Sequence, residues 1–399
     1  MAKIIMHIDL NAFFATCEQI RDPRLIGQPI LIGHPGRSGI VSTASYEARK
    51  FGCHSGQPTF QALKLCPQAL VIPPDFDYYQ VMSNSFVAYL QRFSKIYESA
   101  SIDECYVDMT KPLKDCPDPK QYLLDLQQGL LNETGLKCSI GIAPTKFLAK
   151  MASDMKKPMG LVFLRRRDIP TLLYPLPIEA FWGIGKKTSP KLRAMGIATI
   201  GELAKRANAL DPLLMEELGK FFYVIKDWVN GYGSDTIDMA PFDPKSIGNS
   251  ETLMHDCDTE EEIAPVIKRL SEEVASRARA DKKVGCTVTL VVKDTAFHLH
   301  NKSVSFRDST NDSEDIYSKA LNLYRTSFLG LLIRLVGVTL GKLSDPSKET
   351  VQMSLWNYEK FEEQDRTRLL INELNRKMEK PLLMRGSEVQ KKGGKHGDF

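Results

Sequence analysis

Apolar and polar positions divide the chain into regions of different character. Residues 3–9 form an apolar run that stops at Asp9, as a buried strand would. The pattern then predicts a helix over 12–21, short strands at 29–32 and 40–43, helices at 45–51 and 59–65, and a strand at 70–73. A long helix follows at 77–93, a β-rich hairpin at 97–109, a helix at 121–132, a strand at 137–143 and a helix at 145–155. Such mixing indicates an α/β or α+β domain. From 166 to 233 the spacing gives only short helical stretches broken by Gly and Pro, and no strand. The polar, Pro-containing stretch 234–249 reads as a linker. A small α+β domain follows, with helices at 260–280 and 313–327 and strands at 285–293, 302–307 and 333–343. In the tail, Leu369, Leu370, Ile371, Leu374 and Met378 suggest one amphipathic helix over 365–378.

Composition adds mainly exclusions. With 399 residues, 43% hydrophobic and 26% charged, the chain is neither largely disordered, collagen-like nor a coiled coil. The apolar start is too short for a secretory leader, and no apolar stretch reaches the ~20 residues of a membrane span. The eight cysteines show no C-x-x-C spacing and read as reduced thiols, so the expected compartment is the cytoplasm. A net charge of +4 is uninformative as a total. Its distribution is not: 146–167 carries seven basic residues against Asp154, and 186–206 carries six against Glu202.

The chemistry starts from acids. Asp9 ends a strand, and Asp103-Glu104 sits at the expected entry of the second strand of the 97–109 hairpin. Neighbours on a regular strand face opposite sides, so two adjacent carboxylates reach one point only at a strand entry, turn or bulge. Three converging carboxylates repel, and hard cations such as Mg²⁺ relieve that repulsion. Taken alone, an Asp-Glu pair is more often a solvated strand end.

The flanking residues change that weighting. His7-Ile8-Asp9-Leu10-Asn11-Ala12-Phe13-Phe14, the segments 40–52 and 101–108, Ser139–Ala143 with 146–149, and 152–160 occur in the order found in the Y-family DNA polymerases, and the chain resembles that family from residue 4 to about 356. The resemblance implies an α+β multidomain right-hand polymerase. Its palm would be 1–10 and 77–166, its small fingers 11–76, its helical helix-hairpin-helix thumb 167–233, its linker 234–249 and its α+β little finger 250–343, followed by a tail at 344–399. It implies a template-directed, error-prone enzyme that adds dNTPs without a proofreading exonuclease domain. Asp9, Asp103, Glu104 and the Leu10 carbonyl would hold two Mg²⁺ ions. Phe14 would be the gate that excludes a 2′-hydroxyl, with Phe13 left to packing. Thr43, Tyr46, Arg49 and Lys157 would contact the triphosphate, and Ile40, Ser42 and Gly56 would cover the nascent base pair. Tyr46 and Arg49 are three apart and so share a helix face, and that helix start could offer amides to phosphate. Asn11 stands where some relatives carry an acid.

Phe181–Thr188 resembles the hairpin of a helix-hairpin-helix element. The backbone at Gly183 and Gly185, with Lys186 and Lys187, would then meet DNA phosphates without sequence preference. Lys282, Lys283 and Lys293 would face DNA from the little finger. Gln352, Leu355 and Trp356 resemble the peptide that docks bacterial polymerases on the sliding clamp. The expected partners are therefore primer–template DNA, dNTPs and the clamp, with the chain acting as a monomer and no membrane involved. Two other readings compete. A clamp-tethered DNA-binding scaffold would lack the carboxylates or the triphosphate contacts, and a nucleotidyl cyclase would lack the hairpin and the separate C-terminal domain.

Overall fold

The computed structural model describes residues 3–348. The chain divides into two compact units, Met1–Asp243 and Pro244–Phe399.

In the first unit, β1 (Ile5–Leu10) is buried at every position. It is the central strand of a five-stranded sheet, which is why its sequence reads as an unbroken apolar run rather than an alternation. The chain turns sharply at Ala12, whose φ of 45° lies in the left-handed region, and enters α1 (Phe13–Arg21). A separate three-stranded sheet follows, built from β2 (Ile30–Gly33), β3 (Val41–Ala44) and β4 (Leu70–Ile72), with α2 (Tyr46–Arg49) and α3 (Thr59–Leu65) between β3 and β4 in the chain. Here α2 is one turn only, shorter than the predicted 45–51 helix.

The chain returns to the first sheet through α4 (Phe76–Leu90), β5 (Tyr97–Ser99) and β6 (Glu104–Asp108). Next come α5 (Pro119–Thr134), β7 (Cys138–Ala143), α6 (Lys146–Met155) and β8 (Leu161–Phe163). The helix α5 has an Asp118 cap, Pro119 at its first position and Gly135 in the left-handed conformation after its end. Sequence pattern missed β8, which pairs parallel to β7 beside the cationic stretch. The sheet order is β5-β6-β1-β7-β8.

The remainder of this unit is helical, with α7 (Ser189–Ala194), α8 (Ile200–Asn208), α9 (Pro212–Leu218) and α10 (Phe221–Val229). Their buried Leu192, Leu203, Phe222 and Ile225 share one core with Phe147, Leu148 and Met151 of α6. That shared core fixes the helices against the sheet.

The second unit has β9 (Ser246–Cys257), α11 (Glu260–Ala280), β10 (Val284–Asp294), β11 (Leu299–Thr310), α12 (Ser313–Ser327) and β12 (Ile333–Ser344). The sheet order is β11-β10-β12-β9. The strand β9 corrects the sequence reading, because part of the expected linker 234–249 is in it. As an edge strand, β9 pairs on one side only and tolerates Gly248, Asn249 and Ser250. Val288, Leu290 and Val292 point into the helix-covered core, while Thr287 and Thr289 meet Ser305 and Ser303 hydroxyls at 2.8 Å on the exposed face. No described helix is long and apolar enough to cross a membrane. All eight cysteines are free thiols.

Candidate active site

The antiparallel pairing of β1 with β6 sets Asp9 directly opposite Glu104. Asp103 lies just before β6, at the strand entry, and its carbonyl accepts the Leu10 amide at 2.9 Å. Its carboxylate, however, accepts from Ser101 Oγ at 2.6 Å. The register thus brings Asp9 and Glu104 face to face, while the Asp103 carboxylate is engaged by its own loop.

Two lysines meet the pair. Lys157 Nζ lies 2.7 Å from Asp9 Oδ1 and 2.7 Å from Asp154. Lys150 Nζ lies 3.2 Å from Asp9 Oδ2 and also donates to Glu104. Lys150 is a site residue that pattern reading missed. The available signal was a lysine in the middle of a helix whose other positions are mostly buried. His7, fully buried, was missed as well. Its Nδ1 meets Ser153 Oγ at 2.8 Å and its Nε2 lies 3.5 Å from Glu104 Oε2.

The electrostatics follow from burial. Burial and a hydrogen bond with Glu104 push the Asp9 carboxyl up to about 7, against the pull of both lysines. Glu104 is held well below the usual carboxylate range. Burial opposes that shift, but His7, Asp9 and Lys150 outweigh it. Burial likewise opposes the charge of Lys150 and Lys157, yet the surrounding carboxylates hold both above the ordinary ammonium value. Two facing carboxylates, one of them ionised, are hard-oxygen donors of the kind a divalent cation takes in place of the lysines.

Asn11 is 2% exposed, and its role is structural. It donates to Ser139 Oγ at 2.9 Å and accepts the Met159 amide at 2.8 Å, pinning the turn that carries Lys157. An acid there could not donate to Ser139.

Phe13 is 2% exposed, while Phe14 is only partly covered. The Tyr46 hydroxyl is buried without a partner. Burial raises its pKa, against the pull of the Arg49 and Lys157 charges. Arg49 stacks over the Tyr46 ring at 4.8 Å and donates to the Ala44 carbonyl at 2.9 Å, next to Thr43 on β3. Because α2 is a single turn and Ser45 already takes the Ala48 amide, helix amides contribute little to an anion site here. Ile40, Ser42 and Gly56 come together: Gly56 donates to the Val41 carbonyl at 2.8 Å, and Ile40 bridges to Pro58.

Gly183 has φ 95°, and a Cβ there would lie 2.9 Å from Phe221 Cζ. A Cβ at Gly185 would meet open space, and Lys186 and Lys187 are exposed beside it. In the second unit, Lys282 and Lys283 precede the start of β10 while Lys293 lies near its far end, roughly 30 Å away at ~3.3 Å per residue. The three therefore do not form one patch. His255 and Glu262, 2.7 Å apart, meet near Cys257, a grouping that histidine spacing did not suggest. Thr259 also donates to Glu262 at 3.0 Å, so this set ties the start of α11. Gln352, Leu355, Trp356 and the expected 365–378 helix lie outside the described residues.

Residues 8–154 match the impB/mucB/samB family, 166–197 its HHH motif and 244–355 its C-terminal domain. DNA polymerase IV of Bacillus anthracis is 35% identical over 98% of this chain and 94% of the relative. DNA polymerase IV 1 of Bacillus subtilis strain 168 is 36% identical over 99% and 95%. The chain belongs to the Y-family of DNA polymerases. Its fold agrees with that membership. A Y-family DNA polymerase chimera of Dbh and Dpo4 superposes with a TM-score of 0.75 at 24% identity, covering 85% of this chain and 99% of the chimera. DinB from Sulfolobus solfataricus gives 0.55 at 25%, with the same coverages. The right-hand Y-family architecture therefore frames the site: palm sheet, small fingers sheet, helical thumb with the hairpin motif and α+β little finger.

Proposed function

We propose that this Y-family polymerase extends a primer by adding dNTPs opposite a template, including distorted templates, through two-metal-ion phosphoryl transfer and without proofreading. The observation that carries this reading is the Asp9–Glu104 pair with Lys157 2.7 Å from Asp9. The primer 3′-oxygen attacks the α-phosphorus of the dNTP, the bond to the bridging oxygen breaks, and pyrophosphate leaves. Lys157, Arg49, Tyr46 and Thr43 bind and orient the triphosphate; Arg can do so with paired donors. Asp9, Asp103, Glu104 and the Leu10 carbonyl would hold Mg²⁺, whose chemistry is to acidify the 3′-hydroxyl and offset charge on the departing phosphates. His7 orients Glu104, and Phe14 excludes a 2′-hydroxyl. Ile40, Ser42 and Gly56 form a low cover over the nascent base pair, which supports tolerance of damaged bases.

In this reading the palm is 1–10 with 77–166, the fingers 11–76, the thumb 167–233 and the little finger 250–343. Gly183, Gly185, Lys186 and Lys187 meet DNA phosphates, and Lys282, Lys283 and Lys293 meet the duplex at separate points. Gln352, Leu355 and Trp356 tether the enzyme to the sliding clamp. Primer extension with Mg²⁺ tests the proposal. Wild type is expected to add nucleotides, and Asp9→Ala or Glu104→Ala to abolish addition with DNA affinity retained. A wild-type protein that binds DNA yet adds nothing would leave the clamp-tethered scaffold in its place.

A further inference from the structure

Three aromatic rings form a column from the core of the first unit to its surface. Phe147 stacks on Trp228 with centroids 4.6 Å apart and planes 12° apart, and Trp228 stacks on Trp182 at 5.2 Å and 28°. Phe147 is 2% exposed, whereas Trp182 is 46% exposed. The column thus ends on a large, half-open indole, held from behind by Trp228 and by the Trp182 amide donating to Met151 Sδ at 3.4 Å. Trp182 lines a cavity of about 500 Å³ whose wall also carries Glu104, Lys146 and Lys150. That volume lies within the roughly 300–1,000 Å³ range of ligand clefts.

The carboxylate pair has two sides. Lys157 marks the Asp9 side, 2.7 Å from Asp9 Oδ1. None of Thr43, Tyr46, Arg49 or Lys157 lines the cavity, which opens on the Glu104 side. If the incoming nucleotide sits at the Asp9 side, the other reactant, the primer strand, is left with the Glu104 side. Exposed aromatic faces bind nucleotides without sequence preference, because every base offers a π-face.

We propose that Trp182 is a primer-binding residue whose outer face stacks on a nucleotide at the 3′ end of the primer strand, in the cavity beside Glu104. This rests on the polymerase reading above. The hairpin that follows, Gly183 to Lys187, would hold the phosphates of the same strand.

The test uses the full-length protein with a primer–template and no dNTP. Titrating DNA into wild type should quench tryptophan fluorescence, and Trp182→Phe should lose more than half of that quench while binding within about threefold of wild type. Trp182→Ala should weaken primer–template binding, read by anisotropy, by about tenfold, the scale of one lost stacking contact. Trp182→Leu, which keeps apolar cover over Trp228 without a flat π-face, should show the same loss with an unchanged thermal midpoint. The KM for dNTP should stay within about twofold in every variant. Unaltered DNA binding in both Trp182→Ala and Trp182→Leu would overturn the inference, as would a loss confined to the KM for dNTP. Failure of wild type to extend any primer would instead overturn the polymerase reading.

Discussion

The Phe14 ring lies flat on Tyr79, with centroids 4.4 Å apart and planes 13° apart. Tyr79 is fully buried, and its hydroxyl donates to Glu18 at 2.8 Å. If Phe14 is the proposed gate, a ring backed in this way cannot recoil from a 2′-hydroxyl. Phe14→Ala should therefore raise ribonucleotide use relative to deoxynucleotide use by about 10–200-fold, the discrimination one pocket contact supplies. Tyr79→Leu should raise it by less. Single-nucleotide kcat/KM for matched rNTP and dNTP pairs measures both, and unchanged sugar selectivity in Phe14→Ala would remove the gate assignment.

Lys150 is 8% exposed and shared among Asp9, Glu104 and Asp154. Truncating one partner of a buried ion pair leaves uncompensated charge and costs on the order of 3–5 kcal/mol. Lys150→Met should lower unfolding stability in EDTA by that order, with Mg²⁺ recovering part of it. Urea unfolding with and without the ion tests this, and a variant as stable as wild type in EDTA would contradict it.

The raised Asp9 carboxyl has a defined pH consequence. Its folded pKa, about 7, lies above the unfolded carboxylate value. The protonated form therefore favours folding: its contribution is complete below about pH 4 and is lost as pH rises through 7. His7, whose pKa is lowered by burial, works in the opposite sense, so the comparison is best made between variants sharing His7. In EDTA, Asp9→Asn should gain stability relative to wild type between pH 5 and pH 8. A difference independent of pH across that window would show that the buried carboxyl titrates normally.

Gly183 and Gly185 are two residues apart but face different constraints. Gly183→Ala combines a positive φ with a 2.9 Å approach to Phe221, so it should cost on the order of 1–3 kcal/mol in stability. A Cβ at Gly185 meets nothing. Gly185→Ala should leave the thermal midpoint unchanged while weakening DNA binding, because the new methyl stands where a phosphate would approach. Thermal unfolding beside anisotropy separates the two effects.

Much of the site was legible in the chain. Asp9, Phe14, Tyr46, Arg49, Glu104 and Lys157 lie in short contiguous segments whose order carries the family resemblance, and Phe13 is core, as expected, while Phe14 is partly covered. The misses have physical causes. The strand β9 is polar because an edge strand buries little and pairs on one side, so its composition resembles a linker. The strand β8 is three residues long, too short for periodicity to register.

Residue order and hydrophobic pattern alone determined that the chain is a mixed α and β protein with a helical middle segment and a separate C-terminal domain. They also determined which acids could meet at a strand entry, because alternation along a strand is a local property. Tertiary structure decided which groups answer those acids. Lys150 and His7 reach Glu104 across 46 and 97 residues of chain, and Trp182 shares a cavity with Glu104 across 78. Such convergence depends on how α6 packs on the sheet and on the core it shares with the helices beyond. No local pattern encodes a contact whose partners are brought together only by the burial of other residues.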